Sequence, residues 1–197
     1  MRLFKPSSSA SVQRRQLIDT IDVLDSHNIT YHLEGGTLLG IVRDGDLLPW
    51  DKDTDLSIMS VDVPRLQPAL EALKALGWRL SERSFKQNET FANTQDVRLV
   101  KVKDHFLRVL AGPNTLDLFV KYIHEGHAYW IAASNVMRVS AHHYEGFETV
   151  PWEGRQVKVP VDYEGYLEAK FGNWKVPQKE WHCDMENTVV RPRADGN

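Results

Sequence analysis

Residues 32–58 read HLEGGTLLGIVRDGDLLPWDKDTDLSI. Just before and into this stretch, residues 29–34 (ITYHLE) are short and β-rich, and they end at Gly35-Gly36. Residues 37–44 (TLLGIVRD) are apolar on one side and predict a helix opened at Gly36-Thr37. Asp44-Gly45 is a turn pair. Residues 47–53 (LLPWDKD) read as a loop, because Pro49 pushes Leu48 out of helical geometry. Residues 54–59 (TDLSIM) then predict a strand, with Asp55 and Ser57 on one side and Leu56 and Ile58 on the other. The stretch is therefore a strand, a glycine turn, a helix and a second strand.

Working towards the N-terminus, Val12, Leu17, Ile18, Ile21 and Leu24 form a helical stripe over residues 11–26, with Asn28 as a stop. Residues 1–10 are Ser-rich and expected to fray. Towards the C-terminus, residues 64–76 predict a helix with Pro64 in its first turn and Gly77 as its cap. Three β-like runs follow, VRLVKV, HFLRVL and TLDLFVKYI, with Gly112-Pro113-Asn114 read as a turn. Residues 129–133 and 148–152 read as extended. Residues 162–171 read as a helix capped by Asp162 and closed by Gly172. The tail from Asn173 has no periodicity, and no internal repeat is visible. This order predicts an α/β (α+β) fold, a small mixed sheet flanked by helices, as one domain over residues 11–177 with tails at 1–10 and 178–197.

Composition narrows the class. The chain has 197 residues, 42% hydrophobic and 26% charged, which is enough for a core without staples. The net charge of −3 and the scattered Lys and Arg argue against a nucleic-acid surface. The single cysteine, Cys183, excludes a disulfide framework within the chain. The first residues lack the apolar core of a signal peptide, and no run approaches the ~18 apolar residues of a membrane span. A soluble, cytoplasmic protein is the expectation.

Asp51, Asp53 and Asp55 lie at i, i+2 and i+4, so in an extended chain their carboxylates share one face. Like charges that close repel unless a cation sits among them. Mg²⁺ (or Mn²⁺) takes oxygen ligands, commonly one or two carboxylates plus substrate phosphates. Asp53 and Asp55 supply that pair. Asp117, a charge inside the apolar run LDLF, is the candidate third carboxylate, as metal ligand or as base. Two other readings stand beside this one. The acids could form a solvated turn, or a calcium loop, although Leu56 and Asp62 occupy the positions where an EF-hand needs Gly and Glu.

Gly35 and Gly36 let the backbone approach a ligand closely, and helix N-terminal amides suit phosphate. Thr37 adds a hydroxyl, and Arg43 could grip a phosphate bidentately. His142-His143 and His182-Cys183 match no zinc spacing. Trp130, Trp152, Trp174 and Trp181 are expected in the core or in a cleft wall. One of these four, or Tyr163, could still line a choline-like or nucleobase pocket. Arg98, Lys101 and Lys121 lie on predicted strands near Asp117 and, as strand charges, are expected to be solvated.

A Gly-Gly turn followed by Asp-x-Asp on a strand resembles the nucleotidyltransferase-fold superfamily. More narrowly, GGTLLG, Arg43 and Pro49-Trp50-Asp51-x-Asp53-x-Asp55 are similar to the LicD/fukutin-related family. Gly154, Pro160, Tyr163, Tyr166, Leu167, Phe171, Gly172, Trp174 and Pro177 fit a second part of its pattern. The resemblance implies a nucleotidyltransferase-like fold and a divalent metal on Asp53 and Asp55, with Asp117 third by context. It implies transfer of a phospho-alcohol, such as phosphocholine or ribitol phosphate, from a CDP-linked donor to a sugar-containing, glycan-type acceptor, with CMP leaving. An NTP-dependent nucleotidyltransferase or a non-catalytic nucleotide-binding domain shares the same core.

Overall fold

The computed structural model describes residues 9–106, 110–133, 135–178 and 187–192. The chain opens with helix α1 (Ser9–Ser26), strand β1 (Tyr31–Leu33), helix α2 (Gly35–Asp44) and strand β2 (Asp53–Met59). The buried positions Leu17, Ile21 and Leu24 fall at helical spacing on α1. At its end Asn28 takes a left-handed φ of 55°, Asn28 N–H reaches Asp25 O at 3.1 Å and Ile29 N–H reaches Leu24 O at 2.9 Å. That pair of bonds is a Schellman closure, which turns the chain sharply into β1.

Residues 64–76 do not form one helix. Ser60–Arg65 is a 3-10 helix that contains Pro64, and α3 (Gln67–Ala75) starts afresh with Pro68 in its first turn. A continuous α-helix would need the N–H that Pro68 lacks, and its ring would meet the carbonyl of Pro64 four residues back.

The sheet then grows through β3 (Arg79–Ser84), β4 (Val97–Phe106), β5 (Leu110–His124), β6 (His127–Ala132) and β7 (Asn135–Ser140). A hairpin of β8 (Glu148–Trp152) and β9 (Arg155–Val159) precedes α4 (Tyr163–Phe171), and β10 (Val189–Pro192) comes last. The eight-stranded sheet runs β1-β2-β5-β6-β7-β10, with β4 also paired to β5 and β3 to β4. Among the described strands only β2 and β5 pair in parallel, so the sheet is mixed as expected.

Three differences from the sequence reading have local causes. The segment 112–114 is part of β5 rather than a turn, because β4 and β5 already pair at Phe106 and Leu110. The expected tail supplies β10, whose Val189 pairs with Met137. Strands β3, β7 and β9 were not foreseen, since their exposed faces carry the charges and hydroxyls that dilute a β pattern. No helix among the described residues is long and apolar enough to cross a membrane.

The two faces of the central strands do different things. Val100, Val102, Leu116 and Leu118 are fully buried on the side where α1 lies, and the Gln16 side-chain amide donates to Val102 O at 3.0 Å there. The alternate residues Leu99, Lys101, Asp117 and Phe119 point the other way and line a cavity.

Candidate active site

The register of three strands builds the floor of that cavity. Asp55 on β2 stands beside Asp117 on β5, and Asp117 stands beside Lys101 on β4. The row Lys101–Asp117–Asp55 thus crosses the sheet at one level. Above it α2 begins. Its first residues are locked to β2: Glu34 N–H donates to Asp55 O at 3.0 Å, and Asp55 N–H donates to the Thr37 hydroxyl at 2.8 Å. The two glycines fit against the acids. A Cβ on Gly35 would lie 2.6 Å from Asp55 Oδ2, and one on Gly36 would lie 2.2 Å from Asp51 Oδ2. Gly35 also holds a φ of +53°, where a side chain is strained.

The cavity has a volume of about 670 Å³. Gly35, Gly36, Asp51, Asp53, Asp55 and Asp117 all line it, so residues chosen 82 positions apart in sequence (35 to 117) share one space. Arg43 lines it as well, but its guanidinium fork is turned onto Asp44, with both bonds at 2.8 Å. Thr37 does not line it; its hydroxyl serves the Asp55 amide instead of the cavity.

Burial and crowding together govern the electrostatics. Burial pushes the Asp55 carboxyl well above the usual carboxylate range, and Asp53, Asp117 and Asp51 push the same way. Burial, then a hydrogen bond and repulsion from Asp53, push Asp51 up to about 7. Burial raises Asp117 too, although Lys101 pulls against it. Lys101 Nζ donates to both Asp117 oxygens, at 2.8 and 2.7 Å. Among the described residues no three His, Cys, Asp or Glu side chains form a finished cation cage. Asp117 is ion-paired with Lys101. The donor set nevertheless fits a hard divalent ion: it is all oxygen and rich in carboxylates, and burial with crowding pushes Asp51, Asp55 and Asp117 upward.

The raised Asp51 has a testable sign. Its folded pKa lies above the unfolded 3.8, so the folded state binds the extra proton, and stability falls as pH rises from about 4 to about 7. Asp51→Asn removes that dependence. Melting in the absence of divalent ions should therefore show the variant gaining on the wild type between pH 5 and pH 7.5. A constant difference across that interval would contradict the assignment.

A family model described as LicD/FKTN/FKRP, nucleotidyltransferase domain, matches residues 28–162. The chain belongs to this LicD family. It is 29% identical over 167 residues to the ribitol 5-phosphate transferase FKRP of Mus musculus, covering 82% of this chain and 31% of that one. The Homo sapiens FKRP is 30% identical over 158 residues, covering 77% and 29%. The chain thus spans less than a third of the length of these two relatives. Among solved structures, the lincomycin-bound lincosamide antibiotic adenylyltransferase LnuA aligns with a TM-score of 0.48 at 13% identity, over 78% of this chain and 83% of that one.

The LicD domain also contains a group that the sequence reading passed over. Glu34, 1% exposed, caps α2 by accepting from Gly35 N–H at 3.2 Å. It ion-pairs with Lys121 at 2.8 Å and Lys170 at 3.0 Å, and accepts hydrogen bonds from the hydroxyls of Tyr144 (3.1 Å) and Tyr166. Lys121 was expected in solvent; it is 0% exposed, with its ammonium 3.0 Å from the Trp130 ring centroid. The clue was available, because Lys121 interrupts the same apolar strand that marked Asp117. Trp130 and Trp174 line the cavity wall, whereas Trp152 is buried at Asp46 with Nε1 3.4 Å from its carboxylate. His143 is spent on Val161 O at 2.8 Å, and His182, Cys183 and Trp181 lie outside the described residues.

Proposed function

We propose that this LicD domain transfers a phospho-alcohol, phosphocholine-like or ribitol-phosphate-like, from a CDP-linked donor to the hydroxyl of a sugar-containing acceptor, releasing CMP. One observation carries the reading: the glycine-opened N-terminus of α2 and the carboxylates Asp51, Asp53, Asp55 and Asp117 meet in one cavity large enough for a nucleotide. The names of the FKRP relatives support a ribitol-phosphate-like donor group.

In this mechanism Asp53, Asp55 and Asp117 would hold Mg²⁺ or Mn²⁺. Such an ion, when bound, supplies positive charge against the diphosphate. Gly35 and Gly36 present an unhindered backbone to the phosphates at the positive end of α2. Arg43 adds a cation if its fork leaves Asp44. The acceptor oxygen forms a bond to the alcohol-bearing phosphorus, and the bond from that phosphorus to the bridging oxygen breaks. The bridging oxygen leaves with its electron pair as part of CMP. The acceptor's proton passes to solvent or, where Asp117 serves as base instead of metal ligand, to its carboxylate at the floor of the cavity. Lys101 keeps Asp117 oriented until then.

A donor panel tests this. Mg²⁺ with CDP-choline or CDP-ribitol should raise the melting temperature more than metal or nucleotide alone. The shift should be about 5–10 °C at 100 times the dissociation constant. Stabilisation by ATP or CTP but by neither CDP-alcohol would replace the reading with an NTP-dependent nucleotidyltransferase.

A further inference from the structure

We propose that Trp50 is the platform on which the donor's nucleobase stacks. The proposal rests on the nucleotide-linked donor assigned above and adds the residue that holds its base. Trp50 is 41% exposed and lines the cavity. Of the exposed large hydrophobic side chains among the described residues, only Trp50 and Val176 do so.

The chain presents this ring on a fixed mount. Asp51 N–H donates to Leu48 O at 3.1 Å, which closes a turn with Pro49 and Trp50 at its two central positions. Pro49 sets its own φ at the first of them. The turn is anchored on both sides. Buried Leu48 lies against α2 at Gly40, where a Cβ would stand 3.0 Å from Leu48 Cγ and 2.7 Å from Asp46 O. On the other side the Gln13 side-chain amide of α1 donates to Asp51 O at 3.2 Å. A stiff aromatic side chain on an anchored turn loses little freedom when a second ring stacks on it.

The surroundings select the part of the donor. Leu39 and Leu48 line the cavity with Trp50, and Leu48 Cδ1 lies 3.7 Å from where a Cβ on Gly36 would stand. This apolar corner therefore adjoins the opening of α2, where the proposed donor's diphosphate sits. Beyond the acids the sheet continues from β5 to β4 and β3, and there Arg83, Arg98 and Lys101 line the cavity. The base is the flat, uncharged part of a CDP-alcohol, so it suits the corner of Leu39, Leu48 and Trp50. A hydroxyl-rich alcohol or acceptor suits the charged side.

Titration calorimetry on the full chain with Mg²⁺ tests the stacking, using CDP, CDP-choline, ADP and base-free ribose 5-diphosphate. Trp50→Ala should weaken CDP and CDP-choline alike by about 10- to 100-fold and leave ribose 5-diphosphate unchanged. Retained binding of the base-free ligand also shows that the variant is folded. Trp50→Phe, which keeps a ring, should recover most of the CDP affinity. CDP should quench part of the wild-type tryptophan fluorescence, and that part should be missing in Trp50→Phe. Equal weakening of CDP and ribose 5-diphosphate by Trp50→Ala would show that the turn serves the acids rather than the base, and would overturn the proposal. Intact CDP binding in Trp50→Ala would overturn it too, as would a loss larger for CDP-choline than for CDP, which gives the ring to the alcohol. A wild type that binds ribose 5-diphosphate as tightly as CDP would overturn the base site alone. A wild type that binds ADP but not CDP would reject the CDP donor and leave Trp50 to be judged on ADP against ribose 5-diphosphate. A wild type that binds none of the four would overturn both.

Discussion

Replacing Asp55 by Asn is expected to reduce transfer from a CDP-alcohol by at least about 10²- to 10³-fold, the range found when one preorganised charge-stabilising group is removed from an active site. The same variant should melt no lower than the wild type, and higher at pH 8 without divalent ions. The two outcomes share one cause. Asp55 is buried, crowded by Asp53, Asp117 and Asp51, and raised well above the usual carboxylate range. Asn has the same shape, so the backbone bonds to Thr37 and Glu34 and the packing against Gly35 are kept. What is lost is a negative charge that the empty fold resists and the proposed metal requires. Asp53→Asn should lose transfer in the same way. A stopped assay of transfer and a melting curve at pH 8 check the pair of expectations. Full turnover by Asp55→Asn would remove the metal assignment; loss of turnover together with a collapsed melting temperature would show that Asp55 is structural instead.

How far the sequence revealed this site depended on distance along the chain. The segment from Gly35 to Asp55 was legible because its signals are local: a glycine pair, a turn pair, a proline and an alternation of period two. Asp117 was legible because a charge in an apolar strand demands a partner. Its partner was not legible. Lys101 meets Asp117 only because β4 and β5 pair in one register, in which Lys101 faces Asp117 and Val100 faces Leu118. A one-residue slip would send Lys101 to the opposite face. The split at Pro68 was readable in retrospect, since Pro64 and Pro68 stand four residues apart. Strand β10 was not, because its pairing with β7 joins segments some fifty residues apart and leaves no period in either. The side-chain directions of Arg43 and Thr37 were not legible. Their positions near the glycines were right, but side-chain direction is set by a neighbouring carboxylate in one case and by the Asp55 amide in the other.

Glu34 was missed for the same reason as Lys101, and it carries the second large prediction. Its partners come from residues 121, 144, 166 and 170, which only the finished fold brings together. Burial alone would raise its pKa, but the coulombic pull of Lys121 and Lys170 outweighs burial and holds the carboxyl well below the usual range. Glu34→Ala leaves two buried ammonium groups without that carboxylate and removes the acceptor for two tyrosine hydroxyls and the cap of α2. The expected loss is about 3–5 kcal/mol, read from urea unfolding. The sign with pH follows from the lowered pKa: the contribution is present above the usual carboxylate range and is lost as the pH falls through the folded value, so the gap between variant and wild type should narrow in acid. Removing the charges together should be milder than removing one. Glu34→Leu combined with Lys121→Met and Lys170→Met needs no buried countercharge and should recover part of the stability that Glu34→Ala alone loses. If it were less stable than Glu34→Ala, the charged cluster would be a net source of stability.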